Sequence, residues 1–453
     1  MDYETHLSSR GFRSSLSRLC IASTVMFAAG GGDYAIAAEA LPTETVLYSF
    51  KNGNDGGQPS SGGLVFHNRA LYGTTTYGGT LNTGVVFQLS PPVDPTAPWT
   101  ETVLYGFQGG ADGFNPYDDS LVFDTNGALY GTTSGGGTNP GPSSPGGTVF
   151  KLTPPVAPAT AWTKTTLWTF GSGSDGSVPY TGVIFDTSGA LYGVTAAGGA
   201  HGQGTVFKLT PPVAAGTGWT ETVLYHFAGG SDGAAPIGGL IFYNGALYGT
   251  TRAGGAANNG GTVFKLTPPV APATTWIKTT LWTFGSGSDG SLPYAGVIFD
   301  TDGALYGLTA AGGAYGQGAV FKLTPPVAAG TAWTETVLYP FAGGSDGAAP
   351  MASRLIFDTN GALYGTTHGG GTSNGGAVFK LTPPVAPGTT WTEIVLYRFK
   401  GSGGDAATPA GGVVFDTKGA LYGMTSSGGT ANAGAVFKLQ WRNWLQRLIA
   451  GWQ

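Results

Sequence analysis

Cysteine is almost absent from this chain of 453 residues, with Cys20 the only one. A single thiol excludes an internal disulfide framework and any multi-cysteine metal site. Charge is scarce as well. Asp, Glu, Lys and Arg together make up 10% of the residues, and the formal net charge is −5. With no basic field available, nucleic acid is excluded as an expected partner. The apolar run "LCIASTVMFAAG" at 19–30 has 12 residues, too short to span a bilayer, so no transmembrane segment is expected in the mature chain. Sustained helical periodicity is missing outside the last residues. There is no G-x-S-x-G elbow, no H-E-x-x-H pair and no phosphate loop ending in Lys-Ser/Thr.

What the chain has in quantity is glycine, 81 residues, yet 41% of it is hydrophobic and 12% aromatic. A disordered low-complexity chain lacks such a supply of core residues. The first 40 residues stand apart. Arg10, Arg13 and Arg18 precede the apolar run, and "AIAAEA" at 35–40 offers small-residue cleavage sites. This order is that of a secretory signal peptide over 1–40. Cys20 lies inside it, so the mature chain has no thiol and its stability must come from packing.

The rest repeats. "LYG" begins at 71, 129, 191, 247, 305, 363 and 421, at spacings of 58, 62, 56, 58, 58 and 58. Such a period calls for a repeat architecture. Each unit reads as four short strands separated by Gly, Pro and Asp clusters. In the unit around 182–227 they are "GVIF" (182–185), "ALYGVT" (190–195), "GTVFKL" (204–209) and "TETVLYHF" (220–227). A lone 58-residue unit leaves two apolar faces uncovered, and stacking units in a closed ring hides them all. The expected fold is all-β: a seven-bladed β-propeller of four-stranded antiparallel blades over 41–440. A fourth-type strand at 44–50 precedes the first "LYG", and none follows the last "VFKL". Strand 44–50 is therefore expected to pair with 434–440, closing the ring and removing two exposed edges. Residues 441–453, "WRNWLQRLIAGWQ", form a short amphipathic tail. Six tryptophans, Trp99, Trp162, Trp219, Trp276, Trp333 and Trp391, begin the fourth strands and are expected to cover the rim. The orphan strand has Pro42-Thr43 there, a gap that Trp441 or Trp444 can fill.

"GALYGTT", a glycine-rich gap and "GTVFKLTP" resemble the GloVer tandem repeat of exported bacterial proteins, the choice-of-anchor group, over roughly 43–440. The resemblance implies an exported protein held at the surface by one of several C-terminal signals, with no activity attached. The tail here is neither a sorting motif nor a long apolar anchor.

In a propeller the four-to-one and two-to-three strand connections share one face, the top. Each four-to-one connection carries an aspartate: Asp55, Asp112, Asp175, Asp232, Asp289, Asp346 and Asp405, with proline four residues later. One reading is turn chemistry, with Asp bonding its own backbone. The other is a carboxylate ring around the channel mouth that takes Ca²⁺, although one Asp per blade needs carbonyls and water to complete the ligands. Otherwise no cofactor is expected. The opposite-face hairpins carry Asp124, Asp186, Asp300, Asp358 and Asp416, replaced in two blades by His67 and Tyr243. The tyrosines of "LYG" read as core between blades, with the following glycine allowing close approach of the next sheet.

An asymmetric substrate needs groups that differ between blades. The non-repeated top-face candidates are His201, Arg252 and His368. No catalytic residue is singled out. The expected function is a non-enzymatic binding or scaffold module, secreted, periplasmic or at the cell surface, monomeric, with a surface polymer or protein as partner. The alternatives are a propeller-type lyase or lactone or glycan hydrolase with a top-face site, and a calcium-stabilised surface repeat protein.

Overall fold

The computed structural model describes residues 40–441 except 118–120, 138–145, 172–173, 215, 256–258, 286, 329–330 and 352–353. The expected signal segment, all but Ala40, and the tail beyond Trp441 lie outside the described residues. The fold is a seven-bladed propeller of antiparallel sheets, five of four strands and two of five. Apart from strands and turns, the described residues contain only three single-turn 3-10 helices, such as Gly230–Asp232.

The blade around residue 200 shows the plan. Its inner strand, Ile184–Phe185, has two residues rather than the four expected, because extended pairing begins only after Gly182 and Val183. Leu191–Thr195, Thr205–Thr210 and Thr220–His226 follow. The fourth strand carries a bulge: Val206 opposes Tyr225 and Phe207 opposes Val223, so Leu224 is skipped. A bulge places two adjacent positions against one and breaks strict alternation. Leu224 and Phe227 are both buried as a result. The same shift recurs in all seven blades.

Thr43–Ser49 pairs antiparallel with Ala435–Gln440 and supplies the last blade with its outer strand. The bounds differ by one residue from 44–50 and 434–440. Neighbouring blades meet through phenylalanines. Phe227 directly follows one blade's fourth strand and meets Phe264 of the next edge to face, with centroids 5.2 Å apart. The pair recurs around the ring, from Phe50 on Phe87 to Phe399 on Phe437. Edge-to-face phenyl pairs add to the burial of their area.

The glycine of "LYG" makes room in another way than expected. A Cβ on Gly193 would lie 2.5 Å from Cζ of Phe207, its cross-strand neighbour within the same blade. The space is thus filled by the blade's own phenyl ring. The tyrosine before it is buried between blades as expected, and its hydroxyl donates to the hairpin aspartate, as Tyr192 does to Asp186 at 3.1 Å. Where that aspartate is missing, His67 stacks on Phe123 at 4.0 Å and Tyr243 on Phe299 at 3.8 Å. Each rim tryptophan packs against an inter-blade core, and Trp441 does so beside Tyr364 and Phe415, in the place the orphan strand leaves unfilled.

Candidate functional site

The four-to-one connections build the top of the channel. In every blade the residue before the recurring proline adopts a left-handed conformation without being glycine: Gln58, Asn115, Val178, Ala235, Leu292, Ala349 and Thr408, with φ between 48° and 58°. That conformation disfavours a side chain by roughly 1–2 kcal/mol, more for β-branched Val178. It persists because the backbone is held on both sides. The Ala235 N–H donates to the Gln203 carbonyl of the preceding blade at 2.9 Å, and its carbonyl accepts from the Arg252 N–H at 3.0 Å. Strain of this kind gathers where structure positions function. Ala235→Gly should therefore leave the protein folded and raise its stability by up to about 1 kcal/mol, against the usual sign for Ala→Gly. A urea titration checks it.

The effect of these turns is to aim the residue after each proline at the axis. All seven, Ser60, Tyr117, Tyr180, Ile237, Tyr294, Met351 and Ala410, line one cavity of about 420 Å³ at the mouth. This is within the usual range for small-ligand sites. The ends of the second strands and the connections after them complete the wall, with Thr76 and Ser426 in strand and Arg252 and His368 just beyond it. Tyr117 meets Tyr180 edge to face at 5.4 Å, and the Arg252 guanidinium lies 5.1 Å from the Tyr294 ring centroid. A smaller cavity of about 160 Å³ adjoins it along the axis, sharing Ser61, Ile237 and Tyr294 and including Arg354. Arg354 stands where five other blades have glycine: Gly63, Gly182, Gly239, Gly296 and Gly412.

Of the three non-repeated candidates, Arg252 and His368 are thus brought together on one cavity. His201 is exposed elsewhere on its loop, close enough to His226 to help burial hold that imidazole below its ordinary pKa. The residues after the prolines were not singled out in sequence. Their signal was there: "P-x" reads Ser, Tyr, Tyr, Ile, Tyr, Met and Ala in a chain whose neighbouring positions repeat almost unchanged.

The seven loop aspartates do not line the mouth cavity. They sit between blades. Asp232 accepts from the Tyr225 hydroxyl at 2.7 Å and the Ala228 N–H at 2.8 Å, and Asp55, Asp112, Asp346 and Asp405 repeat this arrangement. Asp175 accepts from the Gly171 N–H. These bonds fit turn chemistry. Among the described residues no group of three or more His, Cys, Asp or Glu is arranged to hold a metal ion.

Each loop aspartate also faces the second residue of the next blade's fourth strand. In two blades that residue is lysine. Lys164 reaches Asp112 at 2.8 Å and Lys278 reaches Asp232 at 3.0 Å, with both lysine side chains almost wholly buried. In the other five it is glutamate. Burial first, then the facing aspartate, pushes Glu44, Glu101, Glu221 and Glu335 up to about 7 and Glu393 up to about 8. The facing aspartates are Asp405, Asp55, Asp175, Asp289 and Asp346 in turn. One buried oxygen of each glutamate has no donor. Burial and the facing carboxylate both favour the protonated form of each glutamate.

These features define the class: a seven-bladed repeat propeller whose blades carry unlike side chains around one mouth cavity. The chain belongs to the Gloeobacter/Verrucomicrobia repeat family, whose sequence model matches residues 29–161, 138–326 and 261–450. No curated protein matches it. Solved structures with a similar fold include the periplasmic gluconolactonase of Pseudomonas aeruginosa, 15% identical over 82% of this chain and 95% of that one, with a TM-score of 0.45. The soluble aldose sugar dehydrogenase of Escherichia coli is 13% identical over 88% and 99%, at 0.42. A protein of unknown function from Dyadobacter fermentans is 14% identical over 89% and 99%, at 0.43. None of their activities carries over at such identities.

Proposed function

We propose that this chain is an exported binding module whose ligand seats in the mouth cavity. The observation that carries the reading is positional. Five departures from the repeat that differ in chemistry from blade to blade, three tyrosines, an arginine and a histidine, converge on one cavity. Identical loops cannot hold one asymmetric ligand, and these loops are not identical. The basic, apolar and small-residue order of the first 40 residues supports export, as does a thiol-free sequence from residue 41 onward. Among the described residues no helix is long and apolar enough to cross a membrane.

A lyase or hydrolase needs an acid–base pair at the cavity. Its described lining includes one imidazole, His368, and no carboxylate. The glutamates with raised pKa lie between blades, each facing a loop aspartate. Binding is therefore the better reading. The loop aspartates already accept from tyrosine and backbone donors, so excess chelator is expected to leave the melting temperature unchanged. A clear drop would instead favour the calcium-stabilised alternative.

An array of soluble bacterial and plant polysaccharides, neutral and acidic, tests the reading. The protein should be retained by at least one polymer, and the double variant Tyr180→Ala/Tyr294→Ala should lose that retention while melting normally. Retention unaffected by the double change would overturn the mouth cavity as the site.

A further inference from the structure

The side chains of the mouth cavity specify a class of ligand, an inference that rests on the binding reading above. We propose that the cavity takes an anionic saccharide, its ring against the tyrosines and its acid group held by Arg252 and His368.

Three residues past the glycine of each "LYG", one position varies from blade to blade. Around the ring it reads Thr76, Ser134, Ala196, Arg252, Ala310, His368 and Ser426. The only two ionisable members are Arg252 and His368, and both line the cavity. The backbone of each is fixed by a neighbour: Arg252 N–H donates to Ala235 and His368 N–H to Ala349, at 3.0 and 3.1 Å. Among the described residues the Arg252 guanidinium is engaged only through the face of Tyr294. A guanidinium lying over a ring keeps its N–H edge available, and that edge matches a carboxylate or sulfate in bidentate fashion.

No aspartate or glutamate is present in the described lining of either cavity. Asp118 and Asp119, which follow Tyr117, lie outside the described residues. The chain as a whole carries −5, so Arg252 at the mouth runs against its overall charge. A site built for a neutral sugar reads hydroxyls with paired carboxylates and amides, and Gln58 is the only amide side chain in the described lining of the mouth cavity. Tyr117, Tyr180 and Tyr294 supply flat apolar faces for the C–H side of a sugar ring with hydroxyls at their tips.

Isothermal titration decides the matter. The probes are di- and trisaccharides of galacturonate, mannuronate and glucuronate, the methyl esters of the same sugars, and a sulfated galactose disaccharide. At least one free acid or the sulfated sugar should bind, its uncharged counterpart about tenfold or more weaker. Added salt should weaken the acid and leave the ester unaffected. Arg252→Ala should remove about tenfold or more of the affinity for the acid and none of that for the ester, with no change in melting temperature. Sulfate binding without uronate binding supports the inference and identifies sulfate as the acid group. Equal affinity for acid and ester overturns it and leaves the binding reading standing. No binding by any probe also overturns it, and the polysaccharide array then reports separately whether the cavity binds anything.

Discussion

Replacing Phe50 by alanine is expected to lower stability by about 3–5 kcal/mol, as much as the same change at Phe227. Phe50 directly follows Thr43–Ser49, the strand that pairs with Ala435–Gln440, and its ring meets Phe87 at the start of the repeat region. Phe227 makes the same contact with Phe264 in mid-chain. Both are fully buried. In an open array of repeats, a phenylalanine near the chain's first repeat would sit on a fraying edge and its loss would be felt little. In a ring with the last blade completed by the first strand, the two positions are equivalent. Urea midpoints followed by tryptophan fluorescence report both. A Phe50→Ala cost well below that of Phe227→Ala would contradict the pairing of first and last strands.

Stability should also fall as pH rises from about 5 to 8, by several kcal/mol. The five interface glutamates have folded pKa values near 7 or 8, above the ordinary 4.5. The folded chain therefore binds these protons more tightly than the unfolded chain. Their stabilisation is fully present below pH 4.5 and is lost as pH rises through about 7. The glutamates are only half-buried, so solvent screening reduces each contribution to about 1 kcal/mol. Aspartates such as Asp232 and Asp186 are held below their ordinary pKa by hydrogen bonds to backbone and side-chain donors that outweigh burial. They act in the opposite direction, so stability falls again on acidification below about pH 4. Glu101→Lys sharpens the test, since it installs at Asp55 the ion pair that Lys164 makes with Asp112 and Lys278 with Asp232. It should raise the melting temperature at pH 8 by about two degrees and flatten the alkaline decline. A stability profile flat from pH 5 to 8 would remove the account of protonated glutamates at the blade interfaces.

Much of the ring was legible before any coordinates. Seven "LYG" triplets at a near-constant period, and a fourth-type strand displaced to the front, carry the blade number and the pairing of first with last strand. They do so because hydrophobic periodicity and turn residues report strands directly. The bulge at Leu224 was not legible, since "TVLYHF" alternates plausibly in more than one register. The role of Gly193 was misplaced for a related reason: a glycine announces close approach without naming what approaches. The site was half legible. Arg252 and His368 stand out as ionisable departures from a pattern of Thr, Ser and Ala. Tyr117, Tyr180 and Tyr294 did not, because tyrosine is common in this chain and only the left-handed turn before each proline aims them at the axis. The loop aspartates drew attention by recurring. Recurrence here marks the scaffold, which every blade needs, whereas variation marks the site.

The most direct measurement is a crystal structure of the protein with the oligosaccharide fragment of whichever polymer the array retains. Ligand density is predicted in the mouth cavity, against Tyr180 and Tyr294 and within hydrogen-bonding reach of Arg252. Density instead on the outer rim, between blades or at the opposite-face hairpins, with the mouth cavity empty, would contradict the claim that the departures from the repeat make the site.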